Sequence, residues 1–406
     1  MWEQIKSNQI RSVILVTAMA ALLLLIGYFL GLYFFDSGVG GLFIALIVWA
    51  VMSLVAFFQG DSILLSLSGA RKIGRDDYPR LYNVVEEMKI ASGLEKMPDI
   101  YIIDDPALNA FATGRDSTKA SIAITSGLLQ KLNRDELQGV VGHELAHIKN
   151  RDVLLMVICG VLLGTIVILA WYASRFLIFG GMGGSRRGSS RSGGGQAQII
   201  ILVVGIVLMI LAPIIAQLIY FAVSRKREYL ADASAALYTR YPEGLASALE
   251  KLRTSTDELK SANKATAPMY IINPFRKKGR QASDLSSTHP PISERVRILR
   301  AMAGGASFGE YDMAYRQVRS TSKGILSAPA LAGVGAVGLR SASPPEPTGG
   351  KGKSEKMERT REVSDVMLHL SNYRTIDCDC GTKLKIPPSL KDRNVRCPKC
   401  GRVYTA

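Results

Sequence analysis

Only four histidines occur in the chain, and two of them stand in His143-Glu144-Leu145-Ala146-His147. This is an H-E-x-x-H pattern. Helix positions four apart share a face, so both imidazoles can reach one zinc ion at about 2.0–2.1 Å. Glu144 is then placed to take a proton from water at the site. The helix is signalled separately: Asn133 followed three residues later by Glu136 is a capping-box start, leading through Gln138, Val140, Val141 and Leu145. Two packed histidines with a surface glutamate between them would give the same letters. The scarcity of histidine and the well-marked helix start favour the metal.

A catalytic zinc needs a third protein ligand and an open position. Ser224-Arg225-Lys226-Arg227-Glu228-Tyr229-Leu230-Ala231-Asp232-Ala233 places two carboxylates one helical turn apart. Glu228 can ligate zinc while Asp232 accepts a hydrogen bond from a histidine's outer N–H, fixing its tautomer. The same carboxylates can instead be solvated partners of Arg225 and Arg227. Further candidates lie to either side. Ile100 to Ile103 and Ile122 to Thr125 read as short β-branched strands, with Asn109 to Thr113 between them. An exposed edge there, at Asn109, Ala110, Phe111 and Ala112, can hold an extended peptide by main-chain hydrogen bonds; an ordinary sheet strand fits the same residues. His289 can stabilise an oxyanion or a nearby carboxylate, while Pro290-Pro291 equally suits a turn before a helix starting near Ser293.

These residues must be positioned by a chain of unusual layout. With 48% hydrophobic and 21% charged residues it has too many core formers for wholesale disorder, and five cysteines are too few for a disulfide scaffold. Ser12 to Phe35, Ser37 to Gly60, Val153 to Ser174 and Ser192 to Ser224 are free of charge, the last becoming apolar near Ile199. A bilayer core needs about 20 helical residues. We therefore expect spans over 13–35, 38–58, 153–174 and 199–223, forming hairpins within 1–60 and 153–224. The first window is too long for the apolar part of a cleaved signal peptide. Lys6 and Arg11 before the first hairpin, and Arg71, Lys72, Arg75 and Arg80 after it, favour the cytoplasmic side for both ends. Arg186, Arg187 and Arg191, at the second hairpin's tip, run against that rule. Segments 61–152 and 225–303 then form one domain split by a membrane hairpin. The net charge of +16 suits an anionic membrane face as well as nucleic acid and does not choose between them.

From Leu326 to Lys353 the chain is rich in Ala, Gly, Ser and Pro, and we expect a flexible linker over 304–360. A separate module over 361–406 carries Cys378-Asp379-Cys380 and Cys397-Pro398-Lys399-Cys400. Cys378, Cys380, Cys397 and Cys400 suit one tetrahedral structural zinc, although the first pair is one residue shorter than C-x-x-C. Disulfides are the competing reading, disfavoured where a cytoplasmic location keeps thiols reduced. Cys159, inside an apolar span, reads as inert packing.

The H-E-x-x-H at 143–147, a hydrophobic hairpin, then Ser-Arg-x-x-Glu-Tyr-x-Ala-Asp at 224–232 resemble the HtpX-type membrane zinc metallopeptidases, relatives of the CAAX prenyl proteases. The resemblance covers residues 1–303. It includes Asn109-Ala110-Phe111-Ala112-Thr113-Gly114, similar to the family's strand beside the cleft, and Thr288-His289-Pro290-Pro291 with Glu294-Arg295. It implies Glu228 as third ligand and Asp232 as its supporting carboxylate. The implied fold is an α-helical integral membrane protein with a cytoplasmic α+β zincin-like metallopeptidase domain and a small zinc ribbon. The expected function is zinc-dependent endopeptidase action at the cytoplasmic face of the cell (inner) membrane, a multi-pass setting, on membrane or misfolded polypeptides. One zinc would be catalytic and one structural, Glu144 and His289 would serve catalysis, and nucleic acid is not an expected partner. The competing function is a non-catalytic membrane adaptor using ribbon and basic surface; a prenyl-protein protease is a narrower alternative.

Overall fold

In the computed structural model, residues 2–180, 195–255, 257, 259–260, 269–272, 289–326, 331, 337–343, 353–390 and 393–405 are described. Two long helices, α1 (Trp2–Phe35) and α2 (Gly38–Leu67), fold back on each other. Ser37 ends the turn by accepting the Gly40 N–H at 3.0 Å. A side chain on Gly31 would put its Cβ 2.5 Å from the Gly41 Cα, so the two backbones touch only because both positions lack one. The outer surface of α2 is apolar, with Val39, Phe43, Ile47, Leu54 and Phe58 exposed. Such a face is costly in water and natural in hydrocarbon.

Two more long helices follow, α6 (Asp152–Gly180) and α7 (Gly195–Thr239). Met19, Leu23 and Ile26 of α1, Leu155, Leu162 and Ile166 of α6, and Ala212 and Ala216 of α7 bury one another in a shared cluster. Cys159 is buried in the same cluster. Among the described residues, Gly38–Leu67 and Asp152–Trp171 are long and apolar enough to cross a bilayer, and Val16–Leu32 is a shorter apolar stretch. The tip bearing Arg186, Arg187 and Arg191 lies outside the described residues.

Between the helix pairs the chain builds a four-stranded sheet from β1 (Ala70–Ile73), β2 (Asp99–Ile103), β3 (Ala110–Asp116) and β4 (Lys119–Thr125), in the order β1-β2-β4-β3. β2 and β4 run parallel, while β3 lies antiparallel to β4 at the sheet's end. The β-branched runs Ile100–Ile103 and Ile122–Thr125 thus become the two central strands. The sheet packs on α3 (Pro79–Ser92), α5 (Arg134–Lys149) and α8 (Pro242–Thr254) through Val84, Ile100, Ile122, Val140, Leu145 and Leu249. Helix α9 (Ile292–Arg300) closes the core with Ile298 and Leu299.

The expected linker over 304–360 is corrected by the structure. Ser307 accepts the Glu310 N–H at 3.1 Å and starts α10 (Phe308–Arg319), whose Tyr311 and Ala314 are buried in the peptidase core. Asp312 then holds the N–H groups of Ile325 and Leu326 at 2.8 and 3.0 Å. Arg340 reaches Asp135 at the start of α5, 2.8 Å away. The boundary at 361 falls inside α11 (Lys353–Leu370), whose Val363 and Val366 join the same core beside α4 (Ser126–Lys131). Apolar residues at helical spacing outweigh the small-residue composition around them. Residues 327–330, 332–336 and 344–352, including Pro344-Pro345-Glu346-Pro347, lie outside the described residues. The tail itself is two hairpins, β5 (Arg374–Asp377) with β6 (Lys383–Ile386) and β7 (Asn394–Arg396) with β8 (Val403–Thr405).

Candidate metal centre and substrate edge

Helix α5 begins as its sequence dictates: Asn133 accepts the Glu136 N–H at 2.9 Å, and Glu136 accepts the Asn133 N–H at 2.8 Å. Lys251 and Ser247 of α8 both bind Glu136 at 2.7 Å, which fixes the helix start against its neighbour. Three turns later His143, Glu144 and His147 are buried. Helix α7 runs unbroken from its apolar part to this depth and delivers Glu228 and Asp232.

The Nε2 atoms of His143 and His147 are 3.2 Å apart. Glu228 Oε1 lies 3.3 Å from His147 Nε2, and its Oε2 lies 3.6 Å from His143 Nε2. Each outer nitrogen faces a different carboxylate: His143 Nδ1 is 3.0 Å from Asp232, and His147 Nδ1 is 3.2 Å from Asp152. Those carboxylates place a hydrogen on each Nδ1, leaving lone pairs at both Nε2 atoms in the neutral rings. Two lone pairs and a carboxylate then converge within 4.8 Å of one another on three buried residues. Such a donor set repels itself unless positive charge sits among its members, and its N,N,O composition suits zinc.

Charge in the pocket follows the same logic. Burial opposes a charged His147, but hydrogen bonds to Asp152 and Glu228 outweigh it and push its pKa up to about 10, so a proton competes with a metal ion for the Nε2 lone pair. Burial would also raise Glu228, yet His289, His143 and His147 hold it well below the usual carboxylate range. Glu144 is raised, chiefly by burial, while the two histidines and the Ala112 N–H pull the other way. A base in this environment is more basic than a solvated carboxylate.

Arg295 is fully buried and forks onto Asp232 at 2.6 and 2.8 Å, with a second contact of 3.2 Å to Glu228. It balances Asp232, which supports His143, and Glu228, the third member of the donor set. His289 stands with its Nδ1 3.0 Å from Glu228 Oε2, beside that carboxylate; Thr288 lies outside the described residues. Asp152 and Arg295 had no role in the sequence reading. Asp152 stands at the mouth of an apolar run, five residues after His147, and Arg295 lies within the quoted Glu294-Arg295 pair. Arg227 pairs with Asp152 at 2.6 Å, so it supports the site from within and is not a solvated partner of Glu228.

The expected exposed edge is corrected by the structure: Asn109, Ala110, Phe111 and Ala112 are all buried, and they take different positions in the strand. Thr125 N–H donates to Asn109 O at 3.0 Å, which sets the alternation along β3. Phe111 and Thr113 therefore turn their N–H and C=O toward β4, while Ala110, Ala112 and Gly114 turn theirs outward. β3 packs beside α5, and the Ala112 N–H favours the charged form of Glu144. Asn109 is buried and spends its side chain on Ile272, and Phe111 packs edge-on against Tyr270 with ring centroids 5.1 Å apart. In the tail, Cys378, Cys380, Cys397 and Cys400 also bring their sulfurs within 4.8 Å of one another.

The chain is similar to known proteins. Peptidase family M48 matches residues 76–303. A protease HtpX homolog of Dictyoglomus turgidum is 44% identical over 301 residues, covering 74% of this chain and 94% of that protein. A protease HtpX homolog of Streptococcus pneumoniae is 43% identical over 302 residues, covering 74% and 100%. The crystal structure of S. mikatae Ste24p is similar at 21% identity and a TM-score of 0.41, covering 74% of this chain and 67% of that one. With the family's match spanning both halves of the site, from the sheet and α5 through α7 to α9, the chain belongs to Peptidase family M48.

Proposed function

We propose that this chain is a membrane-embedded zinc endopeptidase in which His143, His147 and Glu228 hold the catalytic ion and Glu144 moves the proton. The observation that carries this is the pair of carboxylate-backed imidazoles aimed with Glu228 at one point. When bound, zinc polarises the scissile carbonyl and makes water more acidic. Glu144 takes the proton from the attacking water and passes it to the leaving amine. Asp232 and Asp152 keep both histidines oriented, and Arg295 keeps Asp232 charged and in place. Ala112 and Gly114, on the outward face of β3, hold an extended polypeptide beside Glu144. His289, next to Glu228, completes the wall of the site.

Membrane proteins and misfolded chains at the bilayer surface are the proposed substrates. Only Asn150 and Arg151 separate α5 from α6, so the active helix ends where an apolar helix begins. The basic residues Arg71, Lys72, Arg75 and Arg80 favour the cytoplasmic face of the cell membrane, with both hairpins crossing. A second zinc, held by Cys378, Cys380, Cys397 and Cys400, would fold the ribbon. Zinc analysis of detergent-purified protein tests the ligand set. Glu228→Ala should lose the catalytic zinc and keep the ribbon's; Cys397→Ser should do the reverse. Full zinc content in Glu228→Ala overturns the assignment.

A further inference from the structure

The outward edge of β3 is closed at one end by the chain itself. Ile271 donates its N–H to Ala110 O at 2.9 Å, as an added strand would. Asn109 fastens the next residue at both its groups: its Nδ2 donates to Ile272 O at 3.0 Å, and its Oδ1 accepts the Ile272 N–H at 3.4 Å. The same Oδ1 accepts the Ala110 N–H at 3.1 Å, so both outward groups of Ala110 are engaged. Behind this contact Tyr270 is fully buried against Phe111, and its hydroxyl reaches Ser68 at 3.3 Å. Ile271 is 2% exposed. A segment buried this deeply is part of the apolar core beside β3.

We propose that Asn109 and Ile271 form a stop that ends substrate pairing at Ala110, so that an extended peptide uses Ala112 and Gly114 and leaves the sheet edge beyond them. The inference rests on the endopeptidase reading. Ala112 lies beside Glu144, where the bond is cut, and Ala110 is two strand positions away, about 7 Å. On one side of the scissile bond, pairing is therefore limited to about two residues. On the other side β3 runs on through Gly114 to Asp116, so pairing there can extend about two residues further before the strand ends. Asn109 and Ile271 touch no reacting atom and act by length selection alone.

The test uses peptides built around one cleavable sequence and lengthened a residue at a time on either side of the bond. For the zinc-loaded wild-type enzyme, kcat/KM should rise with extension on one side and level off after about two residues on the other. Ile271→Pro removes the N–H that Ala110 accepts, and Asn109→Ser shortens the side chain that holds Ile272. In each, the ratio of kcat/KM for long over short peptides on the levelled side should rise several-fold, through KM, with the cut in the shortest peptide at the same bond. The ratio is internal to each variant, so partial loss of folded protein does not disguise it. Should both variants fail to fold, the wild-type length profile still decides. Steady gains on both sides for the wild type, or an unchanged plateau in active variants, overturn the stop. No hydrolysis of any peptide by zinc-loaded wild type overturns the endopeptidase reading and the stop with it, a result distinct from any length profile.

Discussion

Asp152 stands 3.2 Å from His147 Nδ1, and its other oxygen binds Arg227 at 2.6 Å. One fully buried carboxylate thus joins the end of the H-E-x-x-H helix, the first residue of α6 and the part of α7 just before Glu228. The metal centre and the base of the second helix pair are mechanically one unit. Replacing this carboxylate removes the group that orients His147 and raises its basicity. Asp152→Ala should weaken zinc binding at the catalytic site by roughly 10–100-fold. Chelator competition on the protein lacking ribbon zinc measures it directly, and an unchanged affinity would remove Asp152 from the site.

Arg295 should be needed for folding as well as for geometry. Removing a guanidinium that forks onto Asp232 leaves buried carboxylates uncompensated, a loss of about 3–5 kcal/mol. Arg295→Lys restores the charge without the fork and should recover only part of that stability. Denaturant midpoints of the three proteins in one detergent should fall in the order wild type, Lys, Ala.

Asp135 ties residues 340–343 to the start of α5, and this tie should respond to acid. Burial works to raise its pKa, but hydrogen bonds from Ser343 and Arg340 win and lower it. A carboxylate with a depressed folded pKa stabilises the protein above its unfolded value, about 4, and that contribution disappears as pH falls through the folded value. Arg340→Ala should lower the thermal midpoint at neutral pH and show a smaller further loss on acidification than wild type. Equal acid dependence in both proteins would contradict the coupling.

The tail combines two independent attachments. Val363 of α11 is fully buried in the peptidase core, so Val363→Ala should destabilise the peptidase itself by about 1.5–3 kcal/mol. Cys397→Ser should unfold the ribbon through loss of its zinc, yet α11 should stay docked and short-peptide cleavage should persist. Protease protection of α11 together with a loosened ribbon is the expected pattern in that variant.

Much of the site was readable because its signals are local. The capping box at Asn133 and Glu136, the four-residue spacing of His143 and His147, and the single turn between Glu228 and Asp232 are helix properties that short windows contain. The two central strands were likewise visible as β-branched runs. Partners joined by the fold left weaker traces: Arg295 meets Asp232 from 63 positions away, and Asn109 meets Ile272 from 163. The linker expectation fails at α10 and α11 because apolar residues at helical spacing there outweigh the small-residue composition. Ser307 followed three residues later by Glu310 is the same N-terminal signal that marks α5, and it stood in plain view.

The central claim is that Glu144 moves the proton and does not hold the metal. Hydrolysis of a short peptide, measured together with zinc content in wild type and Glu144→Gln, tests it most directly. The account predicts a fall in rate of roughly 10²–10⁴ with zinc content unchanged. Undiminished cleavage by Glu144→Gln, at equal zinc content, would contradict it.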